Sequence, residues 1–571
     1  MRLTLIILVV LMTGCFFLSS QTQGATYYVR TDGGTSAQCD GLTDAPYTGA
    51  GSTCAWSHPF WALDSQGSWK INGGDTVIIH SGSYKMGYGA ANTSWCEATS
   101  AYSCTLPPLP SGPDSSHPTR IVGFGWDQDC KQQPELWGAE RPWQLLDLRG
   151  TSNAVISCLE LTDHSGCVES FCSNEEVCTP ATVASVSCQR DNYPFGDWAP
   201  IGITASDSDN VLLSNLDIHG FANTGVHAAR LSNWTVDNVR IAGNGWCGWD
   251  GDMGASTSSN SGTLTFRHWT VEWNGCAETY PGGQPDHCWD QTHGGYGDGV
   301  GTNSTGGHWI IEDSLFRYNT SDGLDLLYVR EDPSMIEIRR TQAYSNAGNP
   351  IKTSGPVKIE NSLMVGDCGF FAGKSFAQEM NDHCRAGGNS LAFSLGQSNA
   401  VSVTNSTIVG QGDCLVEAIC DRNDPSTCDG TESITFLNDI FRGYSEFGTP
   451  SDTTCFLYEE PAGLAHETIN YNIIYNTKDG NCPRGANDLC TNPLFIDDNL
   501  GSFNGHLRTG SPAIDSGLGV GGLIPSDDLE NLLRPWFAGV DRGAYEYGSH
   551  LPGERGKAIC GPFLLLLLNQ Q

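Results

Sequence analysis

The sequence repeats a pattern in which an Asn, an Asp or a substitute for it is followed three positions later by an apolar residue. Successive copies start 23, 30, 45, 48, 44, 33 and 33 residues apart, and Arg340-Thr-Gln-Ala343 divides the 48-residue gap into 27 and 21. Such long repeats are typical of a solenoid, in which each coil buries its apolar face against its neighbours. The eight copies, whose first residues we call anchors, are Asn215-Leu-Asp-Ile218, Asn238-Val-Arg-Ile241, His268-Trp-Thr-Val271, Asp313-Ser-Leu-Phe316, Asn361-Ser-Leu-Met364, Asn405-Ser-Thr-Ile408, Asn438-Asp-Ile-Phe441 and Tyr471-Asn-Ile-Ile474.

The stretch 294–355 repeats more closely. If its repeats are consecutive coils, Asp298 stacks on Asp322, since neighbouring strands lie about 4.8 Å apart. Asp325 then stacks on Lys352, so three carboxylates and one amine share a patch. Three segments superpose: Gly295-Tyr-Gly-Asp298-Gly-Val-Gly301, Asn319-Thr-Ser-Asp322-Gly-Leu-Asp325 and Asn346-Ala-Gly-Asn349-Pro-Ile-Lys352.

The anchors also set a phase along the chain. Residues at a constant distance from successive anchors are expected on one face of the solenoid. This predicts a polar row on either side of the patch, with Trp246, Trp249, Trp273 and Trp289 near it, available for sugar stacking or for loop packing. Six residues stand twelve positions after an anchor: His227, Asp250, Asp325, Lys352, Gly373 and Glu417.

Composition narrows the class of protein. The 69 glycines and a charged fraction of only 16% favour many short strands and turns over helices. A formal charge of −35 repels phosphate backbones, so we expect no nucleic-acid partner. Residues 330–385 nevertheless carry 7 of the 29 basic side chains, which are either solvated strand ends or a site for an anionic substrate.

The N-terminus and the cysteines predict export. Residues 1–25 have the form of a signal peptide, and 23 cysteines in an exported chain indicate disulfides that close loops. The spacing lacks zinc motifs and leaves the disulfide connectivity open. We expect an extracellular or cell-surface monomer, attached to a membrane only if Cys15, which ends a lipoprotein-like box, is lipidated.

Both ends of the chain resemble known sequences. Gly74-Asp75-Thr76-Val77-Ile78-Ile79 resembles the opening coils of secreted right-handed parallel β-helix proteins, and the series from Asn492 to Tyr547 is similar to the closing segment of many bacterial extracellular β-helix proteins. The predicted fold is therefore an all-β, right-handed parallel β-helix with disulfide-stapled loops and a C-terminal cap. Its expected divisions are an N-terminal cap with opening coils over 26–150, the helix over 151–490, a closing segment over 491–550 and a tail over 551–571.

The central stretch resembles the family-nine polysaccharide lyases, which are calcium-dependent β-helix enzymes acting on pectate. Ser321-Asp322-Gly-Leu-Asp325-Leu is similar to their calcium motif of two adjacent aspartates, a glycine, an apolar residue and a third aspartate, with Ser321 in place of the first aspartate. Gly348-Asn-Pro-Ile-Lys352 is similar to the segment that carries their catalytic lysine.

This resemblance implies a function and a site. Calcium is expected at Asp298, Asp322 and Asp325. Lys352 is expected to remove the C5 proton of a uronate in an acidic polysaccharide, helped by a cation that stabilises the developing charge. Arg339 and Arg340, with Arg330, are expected to bind uronate carboxylates.

Other interpretations of the same residues stay open. Asp298 and Asp322 each precede a glycine, as turn-capping aspartates do, and Lys352 is also placed to form an ion pair with Asp325. A glycoside hydrolase would need two opposed carboxylates, such as Asp250 with Asp252 or Asp322 with Asp325. A third possibility is a non-catalytic surface or matrix β-helix that binds glycans or is purely structural.

Overall fold

The computed structural model of the chain describes residues 24–97, 104–138, 140, 142–169, 188, 190–192, 195–196, 198–254, 258–280, 285–289, 297–380, 382–396, 398–420, 428–461, 463, 465–478, 482–519 and 524–549. Residues 1–23 of the predicted signal peptide, which include Cys15, and the predicted tail from residue 551 lie outside the described residues.

The chain folds into the parallel β-helix that the sequence predicts. It contains 31 strands that pair into one continuous parallel sheet. Each strand pairs with the equivalent strand of the next coil, and consecutive strands along the chain belong to three different ladders. Crossovers between parallel strands are right-handed as a rule, which is the hand expected from the sequence.

Each ladder runs along one face of the solenoid. The first ladder contains Gln144–Asp147, the start of Ile201–His219, Thr224–Ser232, Cys247–Gly251, Val300–Thr302, Leu324–Leu326, Ile351–Ser354, Leu391–Leu395, Cys414–Cys420 and Cys455–Glu460. The second contains Thr26–Gly34, Thr76–Ile79, Thr119–Gly123, the start of Ser152–Asp163, the middle of Ile201–His219, the start of Thr235–Ala242, Thr263–Arg267, Thr305–Glu312, Val329–Arg339, Val357–Glu360, Ala400–Thr404, Ser433–Leu437 and His466–Asn470.

The third ladder completes each coil. It contains Ser83–Met86, Glu135–Gly138, the ends of Ser152–Asp163, Ile201–His219 and Thr235–Ala242, then Thr270–Glu272, Leu315–Arg317, Gln342–Tyr344, Leu363–Gly366, Thr407–Gly410, Ile440–Gly443 and Ile473–Tyr475. Outside the ladders lie the strands Arg190–Asn192, Phe195–Gly196, Cys276–Glu278, Pro285–Trp289, Ala377–Glu379, Phe495–Asp497 and Asn504–Leu507, and the helical turns Pro59–Ala62, Ser94–Glu97, Arg385–Gly388 and Leu500–Ser502.

The anchors are the bends between the second and third ladders. All have a left-handed backbone, with φ between 47° and 61°. Asn and Asp enter this region more readily than other non-glycine residues, which explains the residue types that recur there. The anchors, including the additional Arg340, are Asn215, Asn238, His268, Asp313, Arg340, Asn361, Asn405, Asn438 and Tyr471.

Inside the coils lies a continuous apolar core. It includes Trp249, which is 1% exposed and packs edge-on against Trp234 and Trp269. Trp289 is also buried. The expectation that tryptophans near the polar row are available for sugar stacking is therefore wrong for Trp249 and Trp289, because both are enclosed by protein.

The closing segment packs along the side of the solenoid. From Leu363 onward the outward residues of the third ladder are largely apolar, and side chains such as Phe495 and Leu529 cover them. Polar contacts to the anchors hold the same segment: Asn405 Nδ2 donates to the Asp541 carbonyl oxygen at 2.9 Å, and Leu518 N donates to Asn438 Oδ1 at 2.7 Å. The cap thus buries an apolar face as well as meeting the last coils.

Disulfides close several loops of the described chain. Nine are present, which is typical of a protein that folds in an oxidising compartment outside the cytoplasm. No helical segment within the described ranges is long and apolar enough to cross a membrane. The pairs are Cys39–Cys54, Cys96–Cys104, Cys130–Cys158, Cys167–Cys188, Cys276–Cys288, Cys368–Cys384, Cys414–Cys455, Cys420–Cys428 and Cys482–Cys490.

Candidate active site on the first ladder

Strand register brings the central acidic residues together as the sequence predicts. Val300 pairs with Leu324, and Leu324 pairs with Ile351. Asp298, Asp322 and Asn349 each lie two residues before one of these strands, so they occupy equivalent turns in consecutive coils. Asp325 pairs directly with Lys352 in the ladder.

The side chains form a compact cluster, which we call the acid cluster: Asp298, Asp322 and Asp325. One carboxylate oxygen from each residue lies within 4.8 Å of the others. Lys352 Nζ donates to Asp322 Oδ2 at 3.1 Å and to Asp325 Oδ2 at 3.0 Å. Asp298 Oδ1 accepts the backbone N–H of Asp322 at 2.9 Å, which links two coils through the cluster.

Burial makes the acid cluster electrostatically strained. The three aspartates are 2%, 4% and 9% exposed. Burial, followed by the charges of Asp322 and Asp325, raises the pKa of Asp298 to about 8. Burial alone would lower the pKa of Lys352, but the attraction of the carboxylates outweighs it and raises that pKa well above its ordinary value.

Asn349 adds an oxygen that the sequence interpretation did not assign. Its backbone N–H and its side-chain amide both donate to Asp322 Oδ1, at 2.6 and 3.0 Å. The side chain is 1% exposed, and no described group hydrogen-bonds its Oδ1. A buried acceptor without a donor costs free energy, so this oxygen is a candidate ligand for a cation. Its position in the third repeat of 294–355 is the signal that identifies it.

A ladder of buried asparagines fixes the turns below the acid cluster. Asn244 Nδ2 donates to Asn274 Oδ1, Asn274 Nδ2 to Asn319 Oδ1 and Asn319 Nδ2 to Asn346 Oδ1, each at 2.9 Å. All four are fully buried. Asn319 begins the turn that presents Asp322, and Asn346 begins the turn that presents Asn349. The ladder therefore sets the spacing between the coils that meet at the cluster.

The polar row on the outside of the first ladder matches the predicted phase with one exception. His227, Asp250, Asp325, Lys352 and Glu417 lie in one register. The placement of Gly373 in this row is wrong, because the chain inserts a loop there and Ala392 takes the position beside Lys352. The complete row, which we call the polar row, is Asp147, Thr204, His227, Asp250, Gly301, Asp325, Lys352, Ala392, Glu417 and Tyr458.

Arg339 and Arg340 are not brought to the acid cluster. Arg339 Nη2 donates to both carboxylate oxygens of Asp527, at 2.8 and 2.7 Å. Arg340 Nη1 donates to the same carboxylate at 2.9 Å, and its other nitrogens bind Asp313. The catalytic role expected for these arginines is therefore corrected to a structural one: they hold the closing segment against the helix.

The carboxylates proposed for a hydrolase are also engaged. Asp250 Oδ1 accepts the N–H of Asp252 at 2.8 Å, and Asp252 Oδ1 accepts the N–H of Gly254 at 2.9 Å. Each of these two carboxylates therefore caps the turn that follows it. Asp322 and Asp325 both contact Lys352, so these two carboxylates share one environment, whereas an acid and a base work best in separate ones.

Comparisons with known proteins identify similar solved structures. No protein-family model and no curated protein matches the sequence. Among solved structures, the chain is similar to the pectate lyase Pel9A at 14% identity, over 91% of this chain and 96% of that one, with a TM-score of 0.43. It is similar to the A-module of the Azotobacter vinelandii mannuronan C-5 epimerase AlgE4 at 11% identity, over 73% and 88%, with a TM-score of 0.42. It is also similar to XylC in complex with xylose at 9% identity, over 92% and 99%, with a TM-score of 0.42. The fold assignment rests on the strand pairing of this chain.

Proposed function

We propose that this protein is an extracellular carbohydrate-active enzyme that cleaves an acidic polysaccharide by calcium-dependent β-elimination. The observation that supports this most is the acid cluster with its single lysine, set in an outward-facing row of a β-helix. One ammonium does not provide enough positive charge to keep three buried carboxylates ionised, and the pKa of Asp298 is accordingly raised to about 8. A site built only for stability would not be expected to leave these carboxylates without enough positive charge.

The residues of the site fit a calcium ion. Calcium prefers several oxygen ligands from carboxylates and amide carbonyls. Asp298, Asp322 and Asp325 supply carboxylates within 4.8 Å of one another, and Asn349 supplies a buried amide oxygen that has no hydrogen-bond donor among the described residues. When bound, calcium would supply positive charge that pairs with a substrate carboxylate and that lowers the pKa of Lys352 by offsetting the carboxylates around it.

Lys352 is the group that we assign to proton transfer. Lys352 pairs with Asp325 in the polar row. This pairing supports the assignment, because a sugar that lies along the ladder would meet the amine. Neutral Lys352 Nζ takes the C5 proton of the uronate, and the electrons of that C–H bond form the C4–C5 double bond. The bond between C4 and the glycosidic oxygen breaks, and that oxygen takes a proton from water. The hydroxide left behind takes the proton from the Lys352 ammonium, which returns the lysine to its neutral form. The product is a chain ending in an unsaturated uronate.

One observation favours a second candidate, a non-catalytic glycan-binding or structural β-helix. In the structure Lys352 forms two ion pairs, at 3.1 and 3.0 Å, and they hold it in its protonated form. A lysine that serves only to neutralise the aspartates would look the same. The two functions differ in whether any covalent product forms.

The experiment compares two lysine variants on a panel of acidic polysaccharides. Unsaturated product, read by the absorbance of its conjugated double bond, is expected from the wild type with calcium and not with a chelator. Lys352→Gln is expected to abolish it. Lys358→Gln, which removes an exposed lysine paired with Glu360 on the second ladder, should keep it. Absence of product from every polymer, with no effect of calcium on melting, would rule out the lyase.

A further inference from the structure

The charges of the polar row are unsuited to a polymer with a carboxylate on every sugar. Of its ten residues, all within the described chain, only Lys352 carries a fixed positive charge. Arg339 and Arg340 are bound to Asp527 instead. The nearest charged residues of the row on the two sides of the Asp325–Lys352 pair are Asp250 and Glu417, and both are carboxylates. Sugars on either side of a bound uronate therefore meet negative groups.

Gly301 leaves a depression in the row next to the acid cluster. It lies between Asp250 and Asp325, which are separated by two strand spacings, or about 9.6 Å. A Cβ added at Gly301 would meet only the side chain of Asp298 within 4 Å, with Oδ2 at 3.4 Å. Every other residue of the row carries a side chain. The depression thus allows a sugar ring to approach the backbone beside the cluster.

The far wall of this depression is a partly exposed polar pair. His227 Nε2 lies 3.6 Å from Asp250 Oδ2, and the two side chains are 24% and 28% exposed. His227 Nε2 also hydrogen-bonds the carbonyl oxygen of Asp252 at 2.8 Å. Because that nitrogen donates to a carbonyl, Nδ1 is the atom left to bind a hydroxyl. Asp250 offers a carboxylate acceptor for a second one.

We propose that the substrate is a heteropolymer in which the uronate at the acid cluster is flanked by neutral sugars, one of which lies over Gly301 and hydrogen-bonds to Asp250 and His227. This inference rests on the proposed lyase function and specifies its substrate class. A neutral sugar presents hydroxyls that both groups bind. A second uronate would place its carboxylate against Asp250 on one side or Glu417 on the other, and such like-charge contacts are disfavoured.

The test measures initial rates of unsaturated-product formation on matched polymers. Galacturonate and glucuronate are each supplied as a homopolymer and as a polymer alternating with a neutral sugar, at equal chain length and with calcium. The wild type is expected to cleave one alternating polymer faster than its homopolymer by about tenfold or more. Asp250→Asn, which keeps the acceptor for the Asp252 N–H, is expected to shrink that ratio several-fold. The control Asp252→Asn removes an exposed charge two residues away and should leave the ratio unchanged.

The outcomes separate this inference from the proposed function. Equal or faster cleavage of a homopolymer by the wild type overturns the heteropolymer and leaves the lyase standing. An equal loss of preference in Asp250→Asn and Asp252→Asn overturns the role of Asp250, because it would show a general charge effect. Absence of product from all four polymers overturns the lyase and, with it, the inference.

Discussion

Asn319→Ala is expected to lower the free energy of unfolding far more than an ordinary asparagine substitution. Asn319 Oδ1 accepts the backbone N–H and the side-chain amide of Asn274, at 3.1 and 2.9 Å. Asn319 Nδ2 donates to Asn346 Oδ1 at 2.9 Å and to the carbonyl oxygen of Val271 at 3.3 Å. Alanine removes all four contacts from a fully buried position.

The magnitude follows from the groups left without partners. Two buried donors on Asn274 lose the acceptor that the structure gives them, and each such loss costs roughly 1–3 kcal/mol. The expected total is about 2–6 kcal/mol, which is a large part of the 5–15 kcal/mol typical of folded domains. Asn346 Oδ1 loses the side-chain donor of Asn319 but still accepts the backbone N–H of residue 319 at 3.1 Å, so this acceptor stays partly satisfied.

Denaturant unfolding with the disulfides intact measures this difference. Asn303→Ala is the matched control, since Asn303 is exposed and near in sequence, and its loss should stay within about 0.5 kcal/mol. Asn319→Asp adds a second test: it keeps an acceptor for Asn274 but replaces the donor to Asn346 with a charged oxygen, so it should not restore stability. Equal losses of unfolding free energy for Asn319→Ala and Asn303→Ala would refute the stabilising role of the buried asparagine ladder.

Three further predictions concern the cap, pH and metal binding. Asp527→Ala removes the shared partner of Arg339 and Arg340, and should make the closing segment sensitive to limited proteolysis, with a loss of about 1–3 kcal/mol. An unchanged cleavage pattern would contradict this. Burial lowers the pKa of His58 to about 4, from an unfolded value near 6.5. The unfolded chain therefore binds the proton first, and the free energy of unfolding should fall by about 3 kcal/mol as the pH drops from 6.5 to 4. His58→Gln should lack this pH dependence. Calcium binding should release a proton below pH about 8, because Asp298 must be ionised to bind the ion. Titration calorimetry in buffers of different ionisation enthalpy should detect this proton, and identical heats in all buffers would exclude its release.

Much of this fold follows from the sequence, since its periodicity is local. The anchors occur at bends that need a left-handed backbone, and Asn or Asp fills most of them. The repeats at Asp298, Asp322 and Asn349 give the stacking of the cluster because equal spacing from a strand produces equal positions in the coil. The same twelve-residue spacing from an anchor gives a wrong position at Gly373. A loop inserted before the next strand of the first ladder puts Ala392, and not Gly373, beside Lys352.

The parts that the sequence does not reveal depend on distant contacts. Arg339 resembles a substrate-binding arginine in a basic stretch, but its partner Asp527 lies 188 residues later in the chain. No periodicity connects the two, because the closing segment lies outside the repeat. Similarly, Trp249 is next in sequence to Asp250 of the polar row. Because successive side chains of a strand point to opposite faces, Trp249 lies in the core.

The most direct test of the account is the rate of unsaturated-uronate formation as calcium is titrated into metal-free protein. We predict no product without calcium, and a rate that rises and saturates when about one ion is bound per chain. Asp322→Asn should require more calcium for the same rate, because it removes one of the three carboxylates proposed to bind the ion. Asp322 also contacts Lys352 and Asn349. A rate that is the same without calcium, or no product at saturating calcium on any acidic polymer, would contradict the account.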